Sequence, residues 1–467
     1  MFNASSLANS RGSLCFDFDV DGNVDAFYSG TQFVYLRNTG GGVFLNMSVP
    51  VFAANFLNFD TADFNNDGLP DLLAGGQFIA YSTGNNDVVF TATGASTTTL
   101  TGVVALHIDN DGWPDFAYNA QTGVLFYVNQ KNKSFALSYN YTMIPTLGND
   151  YMAAADFNKD GYTDVIVDVF DYGAGNSNLL CIFINQNGNG LFVPNNVSFS
   201  SANYANGQFS LMDFNNDGLM DVGVAGASAS AAIYVNNGNL VFATYYTTFS
   251  ANRIIAADFT NDGLVDVAVS STFYQGFANG TYISTLGGPY TAPSWPSLID
   301  ANNDGAMDVF TSAGTNALVL INQNTGLSYT PLVPVSLTAI WLSSTLVNLT
   351  WSLNANNYDT YNVYVSTSPA SISSTSYVLA PLAVKATGRR FLAAHGNAFK
   401  NSFLLVTVSN SSIPYYWSVQ AIGPNFVPSA FATEQVTCAV ASACPKASTT
   451  NSSNALSNAS SLSSFFS

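Results

Sequence analysis

The sequence predicts an all-β chain: a seven-bladed β-propeller followed by a C-terminal β-sandwich. Three observations carry that prediction. A nine-residue acidic loop recurs seven times, β-rich runs bounded by turn residues flank each copy, and the composition changes after Pro331.

The loops place oxygen-bearing side chains at their first, third, fifth and ninth positions and glycine at the sixth. The first copy has Asp17, Asp19, Asp21 and Asp25 around Gly22, and the second has Asp63, Asn65, Asp67 and Asp71 around Gly68. The third has His107, Asp109, Asp111 and Asp115, and the fourth Asp156, Asn158, Asp160 and Asp164. The fifth has Asp213, Asn215, Asp217 and Asp221, and the sixth Asp258, Thr260, Asp262 and Asp266. Asp300, Asn302, Asp304 and Asp308 complete the seventh. Successive copies lie 42 to 57 residues apart, a spacing that belongs to repeat arrays and propellers.

This is the chemistry of a hard cation. Alternate side chains of a tight loop converge on one centre, the glycine allows the sharp turn, and the last carboxylate closes an oxygen shell suited to Ca²⁺. Of the 28 aspartates in the chain, 22 stand at these positions, which makes ordinary acidic turns the weaker explanation. Up to seven Ca²⁺ sites are expected. The His107 loop is doubtful, because imidazole is a poor Ca²⁺ ligand, and Thr260 weakens its loop by replacing an amide or carboxylate with a hydroxyl.

Around each loop the pattern is β. Apolar runs precede it, as at 152–155 and 254–257, and follow it, as at 165–167 and 267–269. A third run ends in an Asn or Gly turn, as at 124–129 and 232–238, and no stretch has a convincing helical period. Roughly four strands per ~45 residues is one propeller blade. Radial repetition leaves only short sheet edges.

The acidic loop, the apolar strand after it and the Val-Asn-x-Gly-x-x-Phe-like turn resemble the FG-GAP/VCBS repeat family, which includes the integrin α-subunit propellers. The resemblance covers residues 12–333. It implies Ca²⁺ bound between blade strands on one face by the residues named above, and ligands met at the other face.

Residues 1–11 read as an N-terminal arm, 334–438 as a second domain and 439–467 as a Ser/Asn-rich tail whose composition predicts disorder. The second domain has alternating strands at 335–341, 347–352, 361–369, 403–408 and 415–422, and resembles a fibronectin type III sandwich with Trp351 as its core tryptophan. Trp417 stands where that family commonly has a tyrosine. Within it, Lys385, Arg389, Arg390, His395 and Lys400 make a basic insert. Two readings stay open for the insert: a solvated loop, or a contact patch for an acidic partner such as the aspartate-rich face of a neighbouring copy or an anionic glycan.

Composition points outside the cell. Asn-x-Ser/Thr sequons occur at Asn3, Asn46, Asn132, Asn140, Asn196, Asn279, Asn348, Asn410, Asn451 and Asn458. N-linked glycans are therefore expected, on a secreted or cell-surface protein. Met1 to Phe16 is polar, so the numbering is expected to begin after a removed signal peptide. No apolar run is long enough to span a membrane. Cys438 and Cys444 are close enough to close a small disulfide loop, whereas Cys15 and Cys181 fall in different blades and read as buried free thiols.

A net charge of −18 crowded at seven points would strain the fold, and seven Ca²⁺ would neutralise most of it. That charge also argues against a nucleic-acid partner. Charged residues are only 9% of the chain, with a single glutamate, Glu434, and the mean hydropathy is +0.18. The surface must therefore be made of hydroxyls, amides and apolar side chains, tolerable inside a permanent interface or under sugar. With two histidines and nearly all carboxylates committed to metal loops, the inventory argues against an enzyme. Two functions remain: a structural subunit of a fibril, appendage or matrix built from copies of itself, or an adhesion module binding a protein or carbohydrate on the propeller face.

Overall fold

The computed structural model describes residues 2–3, 12–29, 33–47, 58–95, 102–120, 123–142, 151–171, 177–197, 208–226, 230–249, 253–269, 272–278, 280–285, 294–313, 316–323, 329–352, 358–370, 377–410, 412–440 and 444. These residues contain no helix, and strands form seven four-stranded antiparallel sheets followed by a three- and a four-stranded sheet.

Each of the seven sheets is a blade. In the first, strands Gly12–Phe16, Asp25–Ser29, Phe33–Asn38 and Phe44–Met47 pair in chain order. The innermost strands of the others are Phe59–Ala62, Val103–Leu106, Met152–Ala155, Gln208–Met212, Ile254–Ala257 and Ser294–Ile299. Each innermost strand lies beside the next, and the seventh returns to the first. The second strands are apolar on both sides, as in Asp71–Ala74 and Asp221–Gly226, because blades pack on both their faces. The core is accordingly interblade: Tyr28 meets Phe310 between the first and seventh blades, and Phe126 stacks on Phe192 between the third and fourth.

The ring closes through the extreme N-terminus. Phe2–Asn3 pairs antiparallel with Asn316–Leu320 and supplies the outermost strand of the seventh blade. The N-terminal arm is therefore not separate from the propeller, a link that short polar residues such as Asn3 do not advertise by themselves.

In the second domain Val335–Trp341, Leu346–Ser352 and Phe403–Thr407 form one sheet. Tyr377–Leu379, Thr360–Ser366, Tyr415–Ile422 and Gln435–Thr437 form the other. Trp351 and Trp417 are both buried between them. The Tyr415 hydroxyl donates to the Asn410 carbonyl at 2.7 Å, a tie back across the strand entry made two residues before Trp417. Cys438 and Cys444 are disulfide-bonded, and Cys15 and Cys181 are free and buried. Residues 445–467, with Asn451 and Asn458, lie outside the described residues, as does Asn279.

The sandwich seats on the propeller face that carries the acidic loops. Asp17 donates its N–H to the Phe391 carbonyl at 2.7 Å, and Phe16 bridges to Leu392. Thr407 donates its N–H to the Asn110 carbonyl at 2.9 Å, and Asp258 donates to the Pro424 carbonyl at 3.0 Å. Tyr377 packs on Gly68 and Phe403 on Gly161, positions where a side chain has no room. Residues 380–399 close one end of the central channel, leaving a cavity of about 490 Å³ walled by the inner strands of all seven blades.

Candidate metal centre

All seven acidic loops join the innermost strand of a blade to its second strand, so all open on the same face. Their backbones match. The fourth position has a positive φ in every copy: Val20 60°, Asn66 54°, Asn110 52°, Lys159 58°, Asn216 60°, Asn261 57° and Asn303 60°. Asn tolerates this left-handed conformation better than most residues, which explains five of the seven. The sixth-position glycines turn with φ between 82° and 102°.

These asparagines also link the loops. Asn66 Nδ2 donates to the Gly112 carbonyl at 3.1 Å, Asn110 to Gly161 at 2.9 Å, and Asn303 to Gly22 at 3.1 Å, each reaching the next loop. Val20 has no such donor and pays for its φ. Val20→Asn should raise stability by about 1 kcal/mol by relieving the left-handed strain. A lower melting temperature for that variant would rule the argument out.

The ligand positions divide into two kinds. The ninth-position aspartates are buried, and both oxygens of each accept backbone N–H groups. Asp164 Oδ2 accepts from Phe157 at 3.0 Å and Oδ1 from Asn185 at 2.9 Å. Asp25, Asp71, Asp115, Asp221, Asp266 and Asp308 repeat the pattern with their own loop and third strand. This carboxylate braces the blade as well as facing the loop, and Asp25 Oδ2 takes a further bond from the Tyr35 hydroxyl at 3.1 Å. The first-position aspartates accept the glycine N–H on Oδ2: Gly22 to Asp17, Gly68 to Asp63, Gly161 to Asp156, Gly218 to Asp213, Gly263 to Asp258 and Gly305 to Asp300.

The inner oxygens fit a cation. Asp17 Oδ1 is buried with no partner, and one oxygen each of Asp17, Asp19 and Asp21 lie within 4.8 Å of one another. A buried, unpaired carboxylate oxygen is costly unless an ion or donor meets it. Asn65, Asn158, Asn215, Thr260 and Asn302 stand at third positions beside Asp67, Asp160, Asp217, Asp262 and Asp304. Among the described residues, the carboxylates of Asp17, Asp19 and Asp21 form a converging cluster. His107 breaks the pattern: its Nδ1 is buried without a partner and burial lowers its pKa, so the ring stays neutral and supplies no charge.

Electrostatics say the same. Burial, more than the neighbouring charges, pushes Asp25 and Asp221 up to about 8 and Asp63 and Asp258 up to about 7. Asp109, Asp156, Asp266 and Asp308 rise to about 6 for the same reason, and burial also raises Asp71, Asp115 and Asp164 well above the usual carboxylate range. Without a cation these loops hold protons near neutral pH, and a divalent ion would discharge that strain.

The basic insert is not a solvated loop, nor does it need a neighbouring copy to find its acidic partner. Arg389 Nη1 lies 2.5 Å from Asp17 Oδ2, and Lys400 Nζ lies 3.1 Å from Asp213 Oδ2 with both side chains buried. Asn401 Nδ2 donates to Asp156 Oδ2 at 2.7 Å. Arg390 is buried against the carbonyls of Pro381, Ala394 and His395, and His395 Nε2 lies 2.6 Å from the Leu211 carbonyl. Lys385 sits over the rings of Tyr364 and Tyr377. The acidic partner is the chain's own propeller.

Sequence reasoning also missed the asparagine that ends the third strand. Asn185 Nδ2 donates to the Ile108 carbonyl of the preceding blade at 2.8 Å. Asn38, Asn129, Asn236 and Asn322 make the equivalent bond, and Ser82 makes it through its hydroxyl. The recurring Val-Asn turn was the available signal. Asn185→Ala should cost about 1–3 kcal/mol by orphaning the buried Ile108 carbonyl. Denaturant unfolding checks this, and an unchanged midpoint would refute it.

Among the sequons, Asn46, Asn132, Asn140 and Asn410 are exposed, whereas Asn348 is half-buried with its Oδ1 shielded. Asn3 and Asn196 lie in outermost blade strands.

The family model for the FG-GAP-like repeat matches residues 107–167 and 213–269. No curated protein matches the chain. Among solved structures, an Agrocybe aegerita lectin that recognises non-reducing terminal N-acetylglucosamine is 16% identical, covers 69% of this chain and 89% of its own, and has a TM-score of 0.44. BBS1N in complex with ARL6DN is 12% identical over 70% and 98% of the two chains, with a TM-score of 0.49. The V. cholerae biofilm matrix protein Bap1 is 12% identical over 67% and 77%, with a TM-score of 0.37.

Proposed function

The chain carries FG-GAP-like repeats in an all-β propeller, and we propose that it is a non-catalytic, calcium-braced extracellular glycoprotein that builds a fibril, appendage or matrix from copies of itself. The observation that carries this reading is the outer rim. Leu45, Val89, Leu137, Val193, Val241 and Ile283 are exposed on or beside the outermost strands of successive blades. Those strands carry almost no charge to discourage pairing with the edge of another sheet. Val335, Ile340 and Leu342 add apolar surface on the sandwich. Exposed Asn46, Asn132, Asn140 and Asn410 are the positions for N-linked glycans. An extracellular setting is consistent with the Cys438–Cys444 disulfide, and no helix among the described residues is long and apolar enough to cross a membrane.

The non-catalytic reading rests on the acidic residues being tied into loop and blade hydrogen bonds, and on both histidines being partly buried, His395 with its Nε2 on the Leu211 carbonyl. A second reading, ligand recognition, is favoured by the central cavity of about 490 Å³, into which Asp60 projects with its pKa raised to about 6 by burial. Sedimentation and electron microscopy of the native glycosylated protein separate the two. Regular polymers that loosen on chelation are the expected result. A monodisperse monomer in calcium and in chelator alike would discard the assembly reading.

A further inference from the structure

The rest of the chain brings different charges to the seven loops, and this deepens the calcium reading above, on which it rests. In loop one, Arg37 Nε lies 2.6 Å from Asp19 Oδ2 and its Nη2 lies 2.8 Å from Asp21 Oδ2. Arg389 holds Asp17 from the sandwich side. The first, third and fifth positions of this loop therefore each face a guanidinium group already. Loop one is also the copy with a fourth carboxylate, Asp19, where five of its siblings carry Asn or Thr. The extra negative charge and the extra arginine come together.

Loop five is compensated differently. Lys400 is 4% exposed, and its ammonium sits between Asp213 Oδ2 and the Asp359 carbonyl, which it reaches at 3.3 Å. The contact is built into the sandwich–propeller junction and is not a surface accident. Loop three has His107 in place of a carboxylate, and the half-exposed Lys131 pairs with Asp111 at 2.8 Å.

Loops two, four, six and seven form no ion pair among the described residues. Their extra partners are neutral: Asn401 on Asp156, and Gln275 Nε2 on Asp262 Oδ2 at 3.3 Å. Lys133 acts on Asp67 only through space.

We propose that the loops fall into two classes: two, four, six and seven bind the divalent cation tightly, six least so because Thr260 offers only a hydroxyl, while one, three and five are weak sites because the chain's own cations, or an uncharged histidine, stand in for it. Calcium and an ammonium group that share one buried carboxylate repel each other across a few ångströms, in surroundings where water screens poorly. The partnerless Asp17 Oδ1 leaves loop one some residual affinity. Arg389 and Lys400, which weaken loops one and five, also anchor the sandwich, so that part of its seating is independent of metal.

The test is a Ca²⁺ isotherm, by equilibrium dialysis and calorimetry, on the full glycosylated chain after chelator stripping. Wild type should show a tight class of four ions and a weaker class. Lys400→Met should move loop five into the tight class, with affinity there rising roughly tenfold or more. Arg37→Gln with Arg389→Gln should do the same for loop one. Those side chains are partly exposed, so this variant decides the matter even where Lys400→Met does not fold. Asp67→Asn should remove one tight ion. Seven equivalent sites, loss of a tight ion on Asp213→Asn, or isotherms of both charge-removal variants that superimpose on wild type would overturn the proposal. No binding to wild type or any variant would instead refute the calcium reading itself.

Discussion

Stripped of calcium, the protein should melt far lower at pH 8 than when loaded, and its pH dependence should reverse. The sign follows from the carboxylates. An unfolded aspartate titrates near 3.9, whereas ion-free folded Asp156, Asp266 and Asp308 sit at about 6, Asp63 and Asp258 at about 7, and Asp25 and Asp221 at about 8. Folded pKa values raised above the unfolded one mean that the folded state holds the extra protons. That contribution is complete below about pH 4 and is lost as pH rises through 6 to 8. The chelated protein should therefore melt higher at pH 5.5 than at pH 8. With calcium present the ion replaces the protons, acid displaces it, and the loaded protein should melt higher at pH 8. Each site held at a hundred times its Kd adds about 2.7 kcal/mol, so several tight sites together make calcium the largest single lever on stability. Scanning calorimetry at both pH values, with and without chelator, is the check. Parallel pH profiles in the two conditions would show that the loops do not bind metal.

Lys400→Met should be the most damaging single change at the junction of the two domains. Lys400 and Asp213 are buried together, and burial alone already disfavours the charged form of each. Removing one member of a buried pair leaves the other uncompensated, which typically costs about 3–5 kcal/mol. The loss should appear in chelator and shrink in calcium, because the ion can then neutralise Asp213. The double variant Lys400→Met/Asp213→Asn should lose less than the single one. Equal losses for the two would mean that the lysine acts through packing of its alkyl chain instead.

Several features were legible because they are local. Seven loops with oxygens at alternate positions and a glycine at the turn, all in register, announce the blade spacing. The Trp351 core, the free buried Cys15 and Cys181, and the Cys438–Cys444 bond likewise followed from short-range pattern. The asparagines at the fourth loop position and at the end of the third strand were visible as repeats, but their roles were not. Asn66 and Asn185 each donate across to another blade, and a bond of that kind has no signature within its own segment.

What the chain determined on its own was the set of repeating units, since periodicity and ligand spacing are properties of neighbours in sequence. Tertiary structure decided which surfaces those units keep. Only folding brings Phe2–Asn3 round to finish the seventh blade, and only folding sets Arg389, Lys400 and Asn401 against loops one, five and four. These partners stand 372, 187 and 245 residues apart, Arg389 from Asp17, Lys400 from Asp213 and Asn401 from Asp156. Their meeting depends on how a closed ring and a sandwich pack face to face. The acidic face, where the resemblance placed the cations, is also the face that the sandwich covers, through contacts such as Asp17 with Phe391 and Arg389 and Asp213 with Lys400 that exist only once ring and sandwich pack together.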